Sequence, residues 1–449
     1  MERGQFSSKL GFIMAAAGAA VGLGNIWGFP TQVASNGGGA FVLVYLILAF
    51  CLAYPALMAE LIVGRYARAN AVIALPMLSE RKGIKRLGKA VGIAGLLTVA
   101  VILSFYAIIA GWLFSFSLAP VANVVGFDQG ANWLTAFSLE RNIIFTLVFM
   151  VATILIIGAG VSAGIERWTK GMMPALVILL VLLIGYILTQ PNAMAGLMHY
   201  LLPDFSRVFE PSLIISALGQ AFFSLSLGVG CMLIYGSYLS SKENIVKVGA
   251  WVTLIDVGLA FVAGLLIIPA MYVAAQYGVE IFDEHGALYN SDTLIFTVLP
   301  ALFEQMGSIG QIVSFAFFLL MSLAALTSSI SLLEVPVAYV VENHGVERKK
   351  ASWIIGTLVT LLSLTIVFNF GWLFGLVITI TTQYSQPILG LFFCLFAGWV
   401  WHRDQALREV KKGFEQAQDS IFWAIWPWYV RFVCPLFIIL MFVHAIWGS

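Results

Sequence analysis

The chain has 449 residues, of which 61% are apolar and 10% charged, against roughly 45–50% and 25% in a soluble domain. That composition excludes a water-soluble globule, and a net charge of +1 without any basic stripe leaves no footprint for nucleic acid. Cys51, Cys231, Cys394 and Cys434 all fall in apolar stretches and read as small core residues, with no disulfide framework.

A bilayer crossing takes about 20 apolar residues, and the apolar runs give eleven segments: 10–34, 40–64, 90–118, 142–160, 171–190, 212–239, 246–274, 308–341, 351–369, 372–401 and 428–447. The first follows Arg3 and Lys9 and contains an Ala-rich stretch that imitates a signal peptide, but a glycine-rich break and a second span follow it directly. With the N-terminus on the cytoplasmic side, Lys and Arg divide 20 inside to 2 outside, the two being Arg141 and Arg207, with Arg431 at the edge of the last span. Such a positive-inside split predicts a cytoplasmic N-terminus and, after eleven spans, an outer C-terminus. The predicted outer loops are acidic, carrying Asp128, Glu140, Asp204, Glu210, Glu280, Asp283, Glu284, Asp292 and Glu304. Solubility of exposed loops accounts for them, and a weak cation funnel is the alternative.

Span one reads GFIMAAAGAAVGLGNIWGFP, with Gly18, Gly22, Gly24, Gly28 and Pro30 interrupting an otherwise apolar helix. Each glycine costs a helix about 1 kcal/mol, and freed backbone groups are tolerated in lipid only where they are buried or line a cavity. Span six repeats the pattern: Ser226-Leu-Gly-Val-Gly230 mirrors Ala20-Val-Gly-Leu-Gly24. Matched breaks in corresponding spans point to a transporter built from five-helix inverted repeats, here roughly 10–190 and 212–401, with an extra C-terminal helix at 428–447. An unwound segment offers carbonyls to a cation and free N–H groups to a carboxylate. The alternative, glycines that only permit close helix packing, explains one break more readily than two. A dinucleotide reading of Gly22-x-Gly24 fails for want of a βαβ context.

Ionisable groups at bilayer depth are functional candidates, and Glu60, Asp256 and Glu334 qualify. None has a basic partner in its own span, so each should be neutral, meet freed N–H groups or face a cation. Asp256 suits a hard ion; helix pinning is the other reading for Glu60 and Glu334. In span eight, Thr327-Ser-Ser329 supplies three successive hydroxyls; a lone one usually bonds back to its own helix, but three point in different directions.

These residues resemble the neurotransmitter:sodium symporter family, in its bacterial branch, whose members share the LeuT fold. The resemblance is carried by the span-one motif with Asn36-Gly-Gly-Gly-Ala40, by Glu60 and Gly64-Arg65, by Gly219-Gln-Ala-Phe-Phe-Ser-Leu-Ser-Leu-Gly228, and by Leu326-Thr-Ser-Ser329. It implies an all-α polytopic membrane protein of about eleven helices with spans one and six broken, lying in a bacterial inner membrane. It also implies sodium-coupled import of a neutral, apolar α-amino acid by alternating access, with two sodium ions.

By the same resemblance, a first sodium site comprises the Ala20 carbonyl, Asn25, Ser224 and Asp256, the last standing where the family often has Asn. A second comprises the carbonyls of Gly18, Val21 and Ala324 with the hydroxyls of Thr327 and Ser328. The substrate carboxylate is expected at the Leu23 and Gly24 amides and the Tyr106 phenol. Its amine is expected at the carbonyls of Ala20, Phe223 and Ser224 and the hydroxyl of Ser226. Ala19, Ile102, Phe223, Val229 and Leu332 frame the side chain. Gly22 stands where monoamine carriers have Asp, which favours a substrate bringing its own carboxylate. Tyr45, Gln220 and Ser224 resemble part of the chloride site of animal members, and a fixed Asp256 carboxylate would replace that anion. Chloride independence follows as an expectation, and so does proton counter-transport, because a proton on Asp256 would neutralise the emptied site.

The chain also departs from the family. The outer-gate Arg before the span-one Phe-Pro is Gly28, and no acidic residue occurs between Glu347 and Asp404 to supply its span-ten partner. Outer closure would then rest on Tyr106, Phe223 and a polar group among Gln383, Tyr384 and Gln386. At the inner gate Arg3 is retained, Phe6 replaces the usual Trp, and Tyr238 and Glu342 are its expected partners. Gly164 and Pro174 match a signature that lets span five unwind. An intramembrane enzyme is disfavoured: Asp256 is the only membrane Asp, and His199, His285, His344 and His402 lie in loops with His444 near an end. A transport-derived sensor, or a carrier of a non-proteinogenic amino acid or organic osmolyte, uses the same ligands and stays open, as does the oligomeric state.

Overall fold

A computed structural model describes residues 5–281 and 294–447. Arg3, Asp283, Glu284, His285 and Asp292 lie outside the described residues, so the expected role of Arg3 is carried no further here. Lipid offers backbone groups no hydrogen bonds, so each segment must satisfy its own, and helices do so. Among the described residues the chain is predominantly helical, without a strand.

Among the described residues eight helices are long and apolar enough to cross a membrane: Gly39–Ala67, Lys82–Val124, Leu139–Gly158, Val161–Ile187, Ile245–Gln276, Gly307–His344, Arg348–Phe368 and Ile421–His444. Two more crossings are bent pairs. Span one is Lys9–Ala20 followed by Gly24–Ser35 at 55°, and span ten, Phe370–Val400, turns by 99° into the short charged helix Arg403–Lys411. The sixth expected segment, 212–239, is split into Pro211–Ser224 and Cys231–Tyr238, neither half long enough to cross alone. Its interruption is the feature that the glycines at 228 and 230 announce.

Several boundaries differ from the sequence expectation. Span three starts at Lys82 and span five at Val161, because basic and polar residues continue the helices beyond their apolar lengths. Cys51 is exposed on the bundle surface while the other three cysteines are buried. Its apolar surroundings are a lipid-facing side of span two, where apolarity does not imply core.

Backbones approach closely where small residues allow it. A Cβ on Gly64 would lie 1.9 Å from the Leu233 carbonyl oxygen, and one on Gly236 would lie 2.4 Å from that of Leu61. Span two and the second half of span six therefore pack backbone to backbone. Next to Gly64, the buried Arg65 donates from Nε to Glu409 at 2.8 Å and from Nη1 to the Glu243 carbonyl at 2.8 Å, tying helix Arg403–Lys411 to the bundle.

Candidate functional site

The two breaks meet in the middle of the molecule. In span one, helix Lys9–Ala20 ends at Val21, which is extended (φ −69°, ψ 107°), and a widened turn over Gly24–Gly28 restarts it. In span six, Ser226, Gly228 and Gly230 all have positive φ, at 51°, 84° and 78°. Gly228 and Gly230 meet that requirement without steric cost, whereas Ser226 is strained there. Its hydroxyl donates to the Ala19 carbonyl of span one at 3.3 Å.

Glu60 supports the span-six break from behind. Buried at 2% exposure, it accepts the freed Gly228 N–H at 2.7 Å. Gln220 serves span one in the same manner, donating to the Gly24 carbonyl at 2.7 Å. Gln386 of span ten donates to the Leu227 carbonyl at 3.0 Å. Glu60 and Gln386 replace helical partners that the unwound backbone has lost, whereas the Gly24 carbonyl accepts the Phe29 N–H as well as Gln220.

Asn25, Ser224 and Asp256 form one buried cluster. Asn25 Nδ2 donates to Asp256 Oδ1 at 2.7 Å and to Ser224 Oγ at 3.0 Å, and the Ser224 hydroxyl donates to Asp256 Oδ2 at 2.8 Å. The Asn25 amide oxygen accepts the Gly22 N–H at 3.1 Å, and the Tyr45 hydroxyl reaches Ser224 Oγ at 3.5 Å. A second group of oxygens lies where span eight crosses the span-one break. Ser328 Oγ is 3.1 Å from the Val21 carbonyl and 3.5 Å from that of Gly18, while Thr327 Oγ1 is 2.9 Å from the Ala324 carbonyl and 3.4 Å from that of Val21. Carbonyl, hydroxyl and carboxylate oxygens of this kind suit a hard cation. Among the described residues no three His, Cys, Asp or Glu side chains cluster to hold a metal.

Beside both groups lies a cavity of about 60 Å³, room for a few waters at about 10–15 Å³ each. Ala20, Leu23, Gly24, Ile102, Tyr106, Phe223, Ser224, Ser226, Val229, Ser328 and Leu332 line it, joined by Gly22, Phe105 and Gln386. Of the expected substrate residues only Ala19 stays behind the wall, as its carbonyl is turned to Ser226. The Tyr106 hydroxyl is buried at the cavity edge, beside Ser328 and the Leu23 backbone. A Cβ on Gly22 would lie 2.3 Å from Ser328 Oγ and 2.9 Å from the Tyr106 hydroxyl, so only glycine leaves these two groups in place.

On the side expected to face outward, Phe223 of the cavity wall is 41% exposed. Of the polar residues expected to assist closure, Gln386 lines the cavity, Gln383 is exposed, and Tyr384 packs edge-on against Phe442 at 6.1 Å. On the side expected to face the cytoplasm, Tyr238 donates to Glu334 at 2.6 Å, and Glu342 accepts both the backbone and side-chain N–H of Asn70 at 2.8 Å. Phe6 packs against Phe12, Tyr235 and Tyr238. Span five is a continuous helix from Val161 through Pro174. Gly164 fits closely, since its Cβ would lie 2.0 Å from the Ile156 carbonyl.

Two participants escaped the sequence reading. Glu166 accepts the Ser7 N–H at 2.7 Å, the Ser7 and Ser8 hydroxyls at 2.7 and 3.0 Å, and Lys170 Nζ at 2.6 Å, fastening the N-terminal segment to span five. Arg348 pairs with the fully buried Glu334. Only the Glu166–Lys170 spacing of four residues was visible beforehand.

Comparison with known proteins agrees over the whole length. The sequence profile described as "Sodium:neurotransmitter symporter family" matches residues 3–139 and 136–448. The sodium-dependent transporter YhdH of Bacillus subtilis is 35% identical over 98% of this chain and 97% of its own length. A sodium-dependent transporter of Haemophilus influenzae is 32% identical over 98% of each chain. Among solved structures, MhsT in complex with L-phenylalanine superposes with a TM-score of 0.84 at 35% identity, covering 99% of this chain and all of that one.

Proposed function

We propose, from the premise that this chain belongs to the sodium:neurotransmitter symporter family and is a multi-pass, sodium-dependent membrane transporter, that it imports a neutral α-amino acid with an apolar side chain. The observation that carries the reading is the meeting of two broken helices at a buried cavity flanked by two separate groups of oxygens.

In this account the Ala20 carbonyl, Asn25, Ser224 and Asp256 hold one sodium ion, and Gly18, Val21, Ala324, Thr327 and Ser328 hold another. Hydroxyls that donate to carbonyls in the described arrangement turn their lone pairs to the ion. The amino acid's carboxylate meets the Leu23 and Gly24 amides, the Tyr106 hydroxyl and the first sodium. Its ammonium meets the carbonyls of Ala20, Phe223 and Ser224 with the Ser226 hydroxyl. Ile102, Val229 and Leu332 face its side chain; Ala19 acts through its carbonyl on Ser226. The L-phenylalanine bound by MhsT supports an apolar or aromatic side chain.

Asp256 supplies the negative charge that a bound chloride would otherwise provide, and a proton taken up there on the return step leaves the cell. Two five-helix repeats rock about the site, with Phe223 and Tyr106 closing it outwardly, while Tyr238, Glu342 and the span-five signature of Gly164 and Pro174 work on the cytoplasmic side. One sodium ion crossing about 100 mV supplies roughly 2.3 kcal/mol, and a tenfold gradient about 1.4 more. Two ions therefore supply about 7.4 kcal/mol, enough to concentrate a neutral solute by about five decades.

Radiolabelled L-phenylalanine or L-leucine retained by the purified protein in sodium but not in potassium is the expected result. Equal retention in both salts removes the coupling from the account.

A further inference from the structure

A second cavity, apart from the transport site, lies at the end of the bundle where span ten turns by 99° into helix Arg403–Lys411 and the last span, Ile421–His444, begins. It measures about 130 Å³, and its walls include Trp401, Arg403, Trp423, Trp426, Trp428 and Arg431. Both guanidiniums are held by aromatic faces: Arg403 lies 5.7 Å from the centre of the Trp423 ring, and Arg431 lies 4.1 Å from that of Trp399. The Trp399 indole N–H also donates to the Arg431 carbonyl at 2.7 Å. Among the described residues neither arginine makes an ion pair. The one buried carboxylate of the neighbouring helix, Glu409, is taken by Arg65 and Lys412.

We propose that this cavity binds the headgroup of an anionic phospholipid, its phosphate between Arg403 and Arg431 and its acyl chains running along the outer face of the last span. Guanidinium forks suit phosphate oxygens bidentately, and a ring face that orients a guanidinium leaves its N–H groups in the ring plane free to donate. Basic pockets between membrane helices recognise such headgroups. The surroundings favour a lipid over a soluble anion. Trp399, Trp428 and Phe432 are 52%, 57% and 45% exposed around the cavity, forming the aromatic fringe that sits at headgroup level. Below it the surface is apolar, with Ile425, Leu436, Ile439 and Leu440 exposed. Ala406, Glu409 and Val410 form the buried side of helix Arg403–Lys411, and Arg403, Asp404 and Arg408 its exposed side, so it lies along the bundle's end as an interfacial helix does.

The test is native mass spectrometry of the full chain in neutral detergent, titrated with phosphatidylglycerol and with phosphatidylcholine of the same acyl chains, with and without inorganic phosphate. Phosphatidylglycerol should be retained at least tenfold more strongly than phosphatidylcholine, and R403Q/R431Q should lose that preference. R408Q, which removes an equal charge outside the cavity, should keep it. The single variants R403Q and R431Q, each expected to lose part of the preference, serve if the double variant does not fold, with the thermal midpoint as the check. An unchanged preference in the variants, an equal loss in R408Q, or equal retention of both lipids would overturn the proposal. Complete displacement by millimolar inorganic phosphate would overturn the lipid as occupant and leave a soluble-anion site.

Discussion

Asn25 and Asp256, 231 positions apart, meet side chain to side chain, the amide of one donating to the carboxylate of the other at 2.7 Å inside a fully buried cluster. A carboxylate in such a place needs partners that stabilise its charge. Asn25, Ser224 and a cation supply them. In Asp256→Asn this fixed charge is gone, and the sodium concentration for half-maximal substrate binding should rise at least tenfold. Wild-type binding should be the same in chloride and gluconate, whereas any binding left in the variant should become chloride-sensitive. Chloride dependence of the wild type would remove the compensating role from Asp256.

Gly22→Ala tests the second group of oxygens without replacing a ligand residue, and because its methyl also comes within 2.9 Å of the Tyr106 hydroxyl, sodium affinity is read rather than substrate affinity. The new methyl would lie 2.3 Å from Ser328 Oγ, which must then rotate away from the Val21 carbonyl it reaches at 3.1 Å. A Ser328 hydroxyl pushed aside takes one oxygen away from the second sodium site, so the sodium concentration for half-maximal binding should rise roughly tenfold, the equivalent of about 1.4 kcal/mol, while the folded fraction is little changed. Wild-type sodium affinity in Gly22→Ala would contradict the assignment of Ser328.

Glu334 lost its ambiguity only in three dimensions. The buried carboxylate faces Arg348 and accepts from Tyr238. Arg348→Ala strands that charge and should destabilise the protein by about 3–5 kcal/mol, read as a large fall in thermal midpoint in detergent. Adding Glu334→Gln should restore most of the loss, and absence of rescue would mean that Arg348 acts through its bond to the Ile157 carbonyl at 3.0 Å instead.

At the N-terminal segment, Glu166→Ala removes every acceptor that holds Ser7 and Ser8. Amide exchange at Ser7 should accelerate at least tenfold, as expected when a local opening loses its restraint. Unchanged exchange would show that the packing of Phe6 on Phe12 and Tyr235 suffices.

The breaks, the hydroxyl run and the lone membrane Asp were all legible in the sequence, because a polar or helix-breaking residue in lipid has few innocent explanations. The three buried carboxylates were legible as groups in need of partners, and the expected alternatives cover Glu60 and Glu334 but not the side-chain amide and hydroxyl on Asp256. Glu60 met a freed N–H, Asp256 met an amide and a hydroxyl, and Glu334 faced a cation. The partner of Glu334 was hidden because Arg348 belongs to the next span, counted there as a positive-inside charge. Gly64 beside Arg65 could be read as a motif but not as a contact, since its reason is the backbone of Leu233. The exposure of Cys51 was illegible for a simpler cause: lipid and protein core select the same apolar residues.

Uptake is the most direct measure of the central claim. Proteoliposomes containing the purified chain would be given an equimolar mixture of the twenty amino acids, with an inward sodium gradient or with potassium in its place, and their contents analysed. Accumulation of one or a few apolar amino acids above the bath concentration, only with sodium, is the predicted result. Equilibration no higher than the bath under both conditions, with folded protein, would contradict sodium-coupled import.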